Sequence, residues 1–420
     1  MDNPDKYDTI VIGGGPAGIL AAGQAALKGS KVLLLEKMDR LGRKLRITGK
    51  GRCNLTNDTT IDEFIRHFGK NGRFLKPAFY NFFVDDLREL LHNHGISTMV
   101  ERGNRVFPEC ESAPAVTEAL IRWLKNTGVH IQTGTVVTKL SVEDRHIAGV
   151  TLGNGQFIEA KSVILCTGGK SYPRTGSTGD GYLLAEELGH TIIPPQPALI
   201  PLTTKGDICR RLQGLSLRNV SASLWIDGKK QADEFGEMLF AHFGLTGPII
   251  LTLSKIAVQA LNQNKTVQIS LDMKPALDHR KLDTRLLRDF EGHPRQQFGT
   301  MLKSLLPASL IPVCIDLTKI PANKIVSDIT AKERQTLRKW LKDFRFEITG
   351  YRPIEEAIIT AGGVSTKEIQ PKTMESRLIK RLYFAGEVID IDADTGGYNL
   401  QAAFSTGYLA GKSANNNPNA

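Results

Sequence analysis

The sequence is poor in the features that mark secreted, zinc-binding and membrane proteins. Its 5 cysteines are scattered and include no CxxC pair, so we expect neither a disulfide framework nor a metal site. No apolar run approaches the ~18–20 residues that cross a bilayer, so no membrane association is expected. The N-terminal segment carries acidic residues before a short apolar run, which argues against a signal peptide and predicts a cytoplasmic protein.

Aromatic residues are also few, at 7% of the chain, and no segment forms an aromatic-rich RNA-binding motif. Hydrophobic residues at 41% and charged residues at 23% are ordinary for a globular protein, which excludes a disordered or fibrous chain. At ~100–200 residues per domain, the 420 residues predict two to three domains.

Acidic residues are too few to balance the basic ones. The chain has 54 Lys and Arg against 44 Asp and Glu, a formal charge of +10, and residues 195–350 hold 23 of the basic and 15 of the acidic residues. A second basic run, from Arg40 to Arg52, contains six cations and no acid. Two interpretations stay open: the cations form a solubilising surface that includes a local phosphate-binding site, or they bind a polyanionic partner.

The N-terminal region carries the pattern of a dinucleotide-binding βαβ unit. A β-branched run leads into GxGxxG, formed by Gly13, Gly15 and Gly18, and an Ala-rich helix and a second apolar strand follow. That strand ends at Glu36, which follows Gly18 by 18 residues, close to the ~20 expected for the acid that binds a ribose hydroxyl. An isolated glycine turn often serves packing alone, but these parts in register predict a nucleotide site.

Three later features favour FAD over NAD as the nucleotide. Residues 131–166 resemble a β-meander that runs into a second glycine turn at 167–169. A strand over 382–387 ends at a glycine and an acid, and residues 396–401 open an Ala-rich helix. A chain that returns to its nucleotide domain at the far end is typical of two-domain flavoproteins. There the second helix N-terminus stabilises negative charge on the flavin.

Longer motifs carry a resemblance to a known family. They are GRKL at 42–45, TGKGRCNLTN at 48–57, TGGKSYP at 167–173, TGP at 246–248, TAGGV at 360–364 and the block from Gly386 to Gln401. Over residues 7–411 the chain resembles the bacterial BaiN/RdsA-type flavoproteins, also called aminoacetone-oxidase-family NAD(P)/FAD-dependent oxidoreductases. The resemblance implies an α/β fold with a Rossmann-like FAD-binding domain built from both chain ends. It also implies an inserted β-barrel-like domain that carries a small helical subdomain.

Domain boundaries are expected where prolines cluster at 194–201 and where residues 350–353 return from the insert. The expected domains are an FAD-binding domain (1–194 plus 351–420), a barrel-like domain (195–275 plus 320–350) and a helical subdomain (276–319). Apolar residues at helical spacing predict helices over 61–91, 113–126, 280–306 and 331–341.

The resemblance also assigns contacts to FAD. Glu36, on which spacing and resemblance agree, is expected to hold the adenosine ribose. Arg43 and Lys44 are expected at phosphate or ribityl groups, and Val137 at the adenine edge through its backbone. Further expected contacts with the cofactor are Gly13, Gly15, Pro16, Ala17, Gly18, Lys37, Thr48, Asn54, Thr167, Gly168, Gly169, Gly386, Glu387, Asp390, Gly397, Asn399, Leu400 and Gln401.

Two residues are candidate proton donors. Cys53 lies in a Gly- and Arg-rich loop, where cations lower the pKa of a thiol, and His242 in the insert is the alternative acid. Each has a structural interpretation as well: Cys53 as a small buried residue packed under the flavin, and His242 as an ordinary structural histidine.

The electron donor stays open at this point. The sequence lacks a second nucleotide fingerprint and a CxxC redox pair, so it is not built like the disulfide reductases. Either NAD(P)H reaches the flavin directly as a transient donor, or another donor reduces it.

The resemblance implies two enzymatic functions. The first is reduction of uridine to dihydrouridine in 23S ribosomal RNA, in which the cationic insert would neutralise phosphates. The second is a small-molecule reaction, either aminoacetone-type amine oxidation or reduction of an enone C=C bond, with the insert as a lid. A flavin-binding sensor or scaffold is the third hypothesis, but no segment resembles an output domain. The position of the charge favours the rRNA hypothesis.

Overall fold

The chain folds into two compact units in the computed structural model, which describes residues 6–415. The first unit consists of the described residues up to Ala198 and from Ile354 onwards, and the second runs from Leu199 to Pro353. Segments from both halves of the sequence therefore build one unit, and the other is inserted between them. The finer division of the insert into a barrel domain and a helical subdomain stays a prediction.

The elements follow in chain order. The strands are β1 (Lys6–Ile12), β2 (Val32–Leu35), β3 (Thr56–Asn57), β4 (Thr98–Glu101), β5 (Arg105–Pro108), β6 (His130–Gln132), β7 (Val137–Glu143), β8 (His146–Leu152), β9 (Phe157–Leu165), β10 (Ile192–Ala198), β11 (Leu202–Thr204), β12 (Ser216–Ile226), β13 (Lys229–Ala241), β14 (Gly244–Thr246), β15 (Val267–Asp272), β16 (Phe344–Tyr351), β17 (Ile359–Val364) and β18 (Leu382–Phe384). The α-helices are α1 (Pro16–Leu27), α2 (Ile61–Arg66), α3 (Lys76–Asn81), α4 (Val84–His92), α5 (Ala113–Asn126), α6 (Asp180–Glu186), α7 (Ile208–Arg211), α8 (Pro248–Asn262), α9 (His279–Gly292), α10 (Phe298–Met301), α11 (Leu310–Thr318), α12 (Ala331–Lys342) and α13 (Tyr398–Ala414). Short 3-10 helices lie at Leu45–Gly51, Gly69–Leu75, Pro173–Thr175, Leu302–Ser304, Val326–Asp328, Ile354–Glu356, Thr366–Glu368 and Gly386–Val388.

The first unit is organised around a sheet of order β6-β2-β1-β9-β8-β7, with β18 also paired to β9. The ladders β6-β2, β2-β1, β1-β9 and β9-β18 are parallel, and β9-β8 and β8-β7 are antiparallel. All four residues of β2 are buried, as expected for a parallel strand covered on both faces. The predicted β-meander is therefore correct for β7 to β9 only. Ile131 lies instead in β6, where it pairs in parallel with Leu34 of β2.

The C-terminal helix α13 packs against α1 at very short range. A Cβ placed on Gly407 would lie 2.2 Å from the carbonyl oxygen of Ala17, and one on Gly411 would lie 2.2 Å from that of Ala21. Both contacts advance by four residues, so the two helices run parallel. Only glycine permits this approach, which ties the last helix of the chain to the first.

The second unit contains a closed antiparallel barrel of order β11-β14-β13-β12-β15-β16, in which β16 pairs back to β11. Side chains alternate along its strands: Ala222 and Leu224 of β12 are fully buried, whereas Ser221 and Ser223, which alternate with them, are only half-buried. This alternation is what a barrel wall requires. The predicted α/β fold with an inserted barrel is confirmed.

Prolines and glycines interrupt the apolar pattern in two of the predicted helical regions. The helix predicted over 280–306 ends at Gly292, since Pro294 cannot continue it, and α10 begins at Phe298. The helices predicted over 61–91 are confirmed as α2, α3 and α4, with a 3-10 segment between α2 and α3. The helices predicted at 113–126 and 331–341 are confirmed as α5 and α12. The proline-rich segment is not an unpaired linker, because it forms β10 and pairs with β17 around an irregularity at Pro194 and Pro195.

We expect Gly411→Ala to destabilise the protein although alanine is the better helix former. Overpacking against the backbone of Ala21 costs about 1–3 kcal/mol, which exceeds the ~1 kcal/mol gain in helix propensity. Urea unfolding monitored by circular dichroism measures the change. Gly292→Ala at the exposed end of α9 is the control, because its Cβ would meet nothing within 4 Å. An unchanged midpoint in Gly411→Ala would contradict the close contact.

Candidate functional site

The glycine turn after β1 has the three properties that a pyrophosphate site requires. Gly13 adopts φ +103°, and a Cβ there would lie 2.5 Å from the carbonyl oxygen of Cys166. A Cβ on Gly18 would lie 1.8 Å from the carbonyl oxygen of Gly13, so helix and turn are in contact. A Cβ on Gly15 would meet nothing within 4 Å, and Gly15 directly precedes α1, whose N-terminus has no side-chain cap. The turn thus presents open space at a positive helix end that begins with Pro16.

Glu36 lies at the end of β2, next to this turn. Its Oε2 accepts a hydrogen bond from the N–H of Gly14 at 2.7 Å, and its Oε1 accepts one from Met38 at 2.8 Å. The adjacent Lys37 forms an ion pair with Asp180 at 2.6 Å and donates to Thr178. The carboxylate is therefore held beside the turn where a ribose hydroxyl is expected. Val137 opens β7 just after Thr135, whose N–H donates to the carbonyl of Glu36 at 3.0 Å.

An ion pair joins two of the predicted residues across 343 positions of sequence. The Nζ of Lys44 lies 2.7 Å from Oε2 of Glu387, and both side chains are about one-fifth exposed. Ser171 donates to Oε1 of Glu387 at 3.0 Å, and the N–H of Thr360 donates to the same oxygen at 2.7 Å. This Lys44–Glu387 network places segments 42–45, 167–173, 360–364 and 386–387 together.

The neighbouring glycine turns fit closely around that network. Gly168 has φ +74°, and a Cβ on Gly169 would lie 2.4 Å from Oγ1 of Thr360 and 2.8 Å from Oε1 of Glu387. A Cβ on Gly386 would lie 2.9 Å from Cβ of Ala17. The two later turns are thereby packed against the N-terminal motif.

A second uncapped helix N-terminus belongs to α13. It begins after Gly397, and in the amide orientation that satisfies both groups Asn54 accepts from the N–H of Gly397 and donates to Thr56, at 3.2 Å each. Asn399 uses its side chain to hold the preceding loop, accepting from the N–H of Ala393 at 2.8 Å and donating to its carbonyl at 2.9 Å. Gly407 of α13 lies opposite Ala17 of α1. Because α13 has eight more residues before this contact than α1 has, its N-terminus projects about 12 Å past that of α1, at 1.5 Å per residue.

Among the buried polar atoms without a hydrogen-bond partner in the described residues, two belong to predicted cofactor contacts: Oγ1 of Thr167 and Oε1 of Gln401. Gln401 is fully buried, and its Nε2 donates to Oγ of Ser405 at 3.1 Å. An unpaired buried acceptor costs about 1–3 kcal/mol. The hydrogen-bonding capacity of both atoms is thus unused within the described residues.

The remaining predicted contacts have other partners in the structure. Arg43 forms an ion pair with the exposed Asp39 at 2.7 Å. Asn71 donates to the carbonyl of Asp390 at 2.6 Å and to its carboxylate at 3.0 Å. Leu400 packs against the apolar core of the first unit. The structure gives these three residues local structural roles, and their contact with a cofactor stays a proposal.

Cys53 is fully buried, which agrees with its interpretation as a small buried residue and not with that of an activated thiol. Thr48 donates to its Sγ at 3.5 Å, but burial outweighs this hydrogen bond and raises the pKa of the thiol to about 12. The basic side chain beside it, Arg52, is turned to Glu101 and Glu111, so it does not stabilise a thiolate. The thiol is therefore protonated at neutral pH.

His242 lies in the second unit, in the turn between β13 and β14. It is exposed, and its ring contacts Phe243 at 5.0 Å between centroids. A role for either candidate acid stays a proposal.

Sequence reasoning missed side chains that the fold brings to the site. Ser171 and Thr360 complete the Lys44–Glu387 network, and Nδ1 of His67 lies 2.9 Å from Asp394 while its ring stacks on Tyr398 at 3.9 Å. Ser171 and Thr360 lie within quoted motifs, so their motif position was an available signal. Nothing in the local pattern around His67 indicates its partner 327 residues away.

Comparisons with known proteins identify the family. The HI0933-like protein Rossmann domain matches residues 7–413. The chain belongs to the HI0933-like family. It is 32% identical over 410 residues to a 3-dehydro-bile acid delta(4,6)-reductase of Clostridium scindens, covering 97% of this chain and 99% of the relative. It is 30% identical over 405 residues to the ribosomal RNA dihydrouridine synthase of Escherichia coli, covering 96% and 97%.

A solved structure supports the fold as well. The 3-ketosteroid delta1-dehydrogenase of Sterolibacterium denitrificans superposes with a TM-score of 0.56 at 12% identity, covering 98% of this chain and 99% of that one. The chain is accordingly an FAD-dependent oxidoreductase of the HI0933-like family. The site fits FAD, because the open Gly15 turn, the Glu36 carboxylate and the two unpaired buried acceptors match the groups of a dinucleotide.

Residues 6–415 contain neither a cluster of candidate metal ligands nor a candidate membrane-spanning helix. Between residues 6 and 415, no three His, Cys, Asp or Glu side chains are arranged to hold a metal ion. In the same range, no helix combines the length and apolar character needed to span a bilayer.

We expect Gly15→Ala to lower the affinity for FAD at least ~10-fold while leaving the apoprotein as stable as wild type, because its methyl group occupies the open space of the turn and touches no protein atom. The ratio of flavin to protein absorbance and unfolding of the apoproteins measure the two effects. Gly13→Ala is the contrasting variant, since its Cβ would clash with Cys166 and destabilise the fold itself. Full FAD occupancy in Gly15→Ala would contradict the assignment.

Only Cys110 is expected to react with a thiol reagent in the folded holoenzyme at pH 8. It is the exposed cysteine, whereas the other four are buried, and a thiol whose pKa is raised to about 12 is thiolate in roughly one molecule in 10⁴ at that pH. Titration with DTNB should give one thiol per chain, and five after denaturation. Cys110→Ser should abolish the native signal. Rapid modification of Cys53 would overturn the burial argument.

Proposed function

We propose that this enzyme reduces uridine to dihydrouridine in 23S ribosomal RNA. Its similarity to the E. coli ribosomal RNA dihydrouridine synthase covers nearly the whole of both chains. The observation that carries the proposal is the position of the positive charge, because residues 195–350 hold 23 basic and 15 acidic residues. An insert with that excess suits a polyanionic substrate.

For this reaction the protein must bind and orient the cofactor and the uracil base, and it must supply one proton. When bound, FAD supplies hydride chemistry. The Gly15 turn, Glu36 and the Lys44–Glu387 network hold the cofactor, and the N-terminus of α13 offers positive potential to its ring. Reduction of the C5=C6 bond of uracil also takes up one proton. The base must leave its stack to be reached, which favours immature or locally single-stranded rRNA.

Cys53 is the proposed proton donor among the two candidate acids. It lies in the same unit as the nucleotide turn, and its raised pKa keeps the thiol protonated. Because protein atoms already cover the thiol, it could act only if binding of the cofactor or the substrate uncovers it. His242 is the alternative donor from the second unit.

A small-molecule substrate is the second candidate function. The relative that is 32% identical over nearly its full length is named as a reductase of a 3-dehydro-bile acid. Reduction of an enone C=C bond, like that of uracil, combines a hydride with a proton on a double bond conjugated to a carbonyl. Oxidation of an aminoacetone-type amine is the other small-molecule reaction. Under this alternative the basic insert has no RNA partner.

Nucleoside mass spectrometry of purified 23S rRNA tests the proposal. Deletion of the gene should remove dihydrouridine, and the intact gene should restore it while a Gly15→Val copy does not. A Cys53→Ala copy should fail with normal FAD content if the thiol donates the proton, whereas a His242→Ala copy should restore the signal. An unchanged dihydrouridine content after deletion would reject the rRNA function and direct the search to enones and amines.

A further inference from the structure

The neighbouring helices α9 and α12 of the second unit separate their charges by face. Arg280, Lys281 and Arg288 of α9 and Lys332 and Lys339 of α12 are exposed. Their spacings, such as 281 to 288 and 332 to 339, place them two helical turns apart on the outward faces. Most apolar residues of both helices, among them Leu282 and Leu337, are buried in the core of the unit.

Most acids of the same two helices are turned to internal ion pairs. Asp283 accepts from Arg334 at 3.1 Å and lies 3.3 Å from Arg338, so it joins α9 to α12. Glu333 accepts from Lys324 at 2.7 Å and binds the N–H of Thr330, which lowers the pKa of its carboxyl to about 2.

The remaining acids near the outward faces are few. Asp289 pairs with Arg285 at 3.5 Å, and its other oxygen lies 3.9 Å from Arg288. The exposed acids at the ends of the two helices are Asp278, the N-cap of α9, Glu291, Asp328 just before α12, and Asp343, the C-cap of α12, which pairs with Arg345. The five cations therefore leave an excess of positive charge on this surface.

The basic run from Arg40 to Arg52 behaves differently, although its sequence is more cationic. Lys44 pairs with Glu387 and Arg46 with Glu118. Arg43 pairs with Asp39, and Arg52 with two glutamates. Four of the six cations of this run are thus paired, three of them with acids from distant segments, while Arg40 and Lys50 are exposed. Among the five outward cations of α9 and α12, the described ion pairs involve Arg288 alone.

We propose that the outward faces of α9 and α12 bind the phosphate backbone of the RNA substrate. This proposal rests on the function proposed above and assigns the contact to a surface. Two cations about 10.5 Å apart on each helix form two short rows suited to a charged backbone. Lysines and arginines without aromatic neighbours provide backbone contacts rather than base recognition.

An anionic membrane is the less suitable polyanion. A helix that binds a bilayer surface inserts its apolar face into the interface. In α9 and α12 that face is occupied, because Leu286, Phe290, Trp340 and Leu341 are buried in the core of the unit. Leu287 is the one large apolar side chain exposed on the described outward faces, at 36%, which is too little apolar surface to insert into a bilayer and favours a polyanion that is bound through charge.

The test compares double variants of the holoenzyme that remove equal charge. Lys281→Gln/Arg288→Gln removes two exposed cations from α9, and Lys332→Gln/Lys339→Gln removes two from α12. The control, Arg122→Gln/Lys125→Gln, removes two exposed cations from α5 of the first unit. Binding to an unmodified 23S rRNA transcript is measured from 50 to 300 mM salt. Each helix variant should flatten the slope of log affinity against log salt by about 2, one unit per lost phosphate contact. FAD absorbance and the unfolding midpoint should match wild type.

The outcomes separate the surface from the function. If wild type binds the transcript with a steep salt dependence and the helix variants match the α5 control, the surface assignment is wrong and the rRNA function stands. If wild type shows no salt-dependent binding, the RNA premise of both proposals fails. If the helix variants lose binding to phosphatidylglycerol vesicles but keep RNA binding, the surface serves a lipid and the proposal is overturned.

Discussion

The site depends on the contact between the first and last helices of the first unit. Gly407 and Gly411 remove two Cβ atoms, so the backbone of α13 rests on the carbonyls of Ala17 and Ala21. This contact fixes both the direction and the offset of the two helices. A nucleotide turn at the start of α1 and a second positive helix end about 12 Å further on follow from that offset. An elongated cofactor with a charged middle and a polar ring requires such a pair of ends.

The Lys44–Glu387 network is the polar counterpart of this contact. Partly buried ion pairs cost desolvation and contribute little stability on average. Their value lies in geometry, because Glu387 has low-cost positions only where Lys44, Ser171 and the N–H of Thr360 are all within reach. Four motifs that are far apart in sequence thereby share one location. The network therefore contributes more to the positions of the residues in the site than to the stability of the fold.

The nucleotide site was predictable because its requirements are local. The turn, the helix start and the acid lie within Gly13 to Glu36, and each position has a steric or electrostatic reason that the spacing alone reveals. The extents of the long helices were not predictable, because Pro294 and the glycines near residues 69–72 interrupt patterns that otherwise continue. Likewise, apolar periodicity indicates that Ile131, which is half-buried, lies in a strand, but not that this strand pairs in parallel with β2.

Long-range electrostatics explain the other failures. Cys53 lies among cations in the sequence, but the Arg52 side chain forms ion pairs with Glu101 and Glu111. Burial is therefore the main influence on the pKa of the Cys53 thiol. The same effect distinguishes the two basic regions. The charge of a cation-rich run can be largely balanced in the fold when acids reach it, and a mixed helix can present one sign when its acids face inward. Local charge density therefore indicates a polyanion site only after the ion pairs are assigned, and here that assignment narrows the surface predicted in the basic insert to α9 and α12.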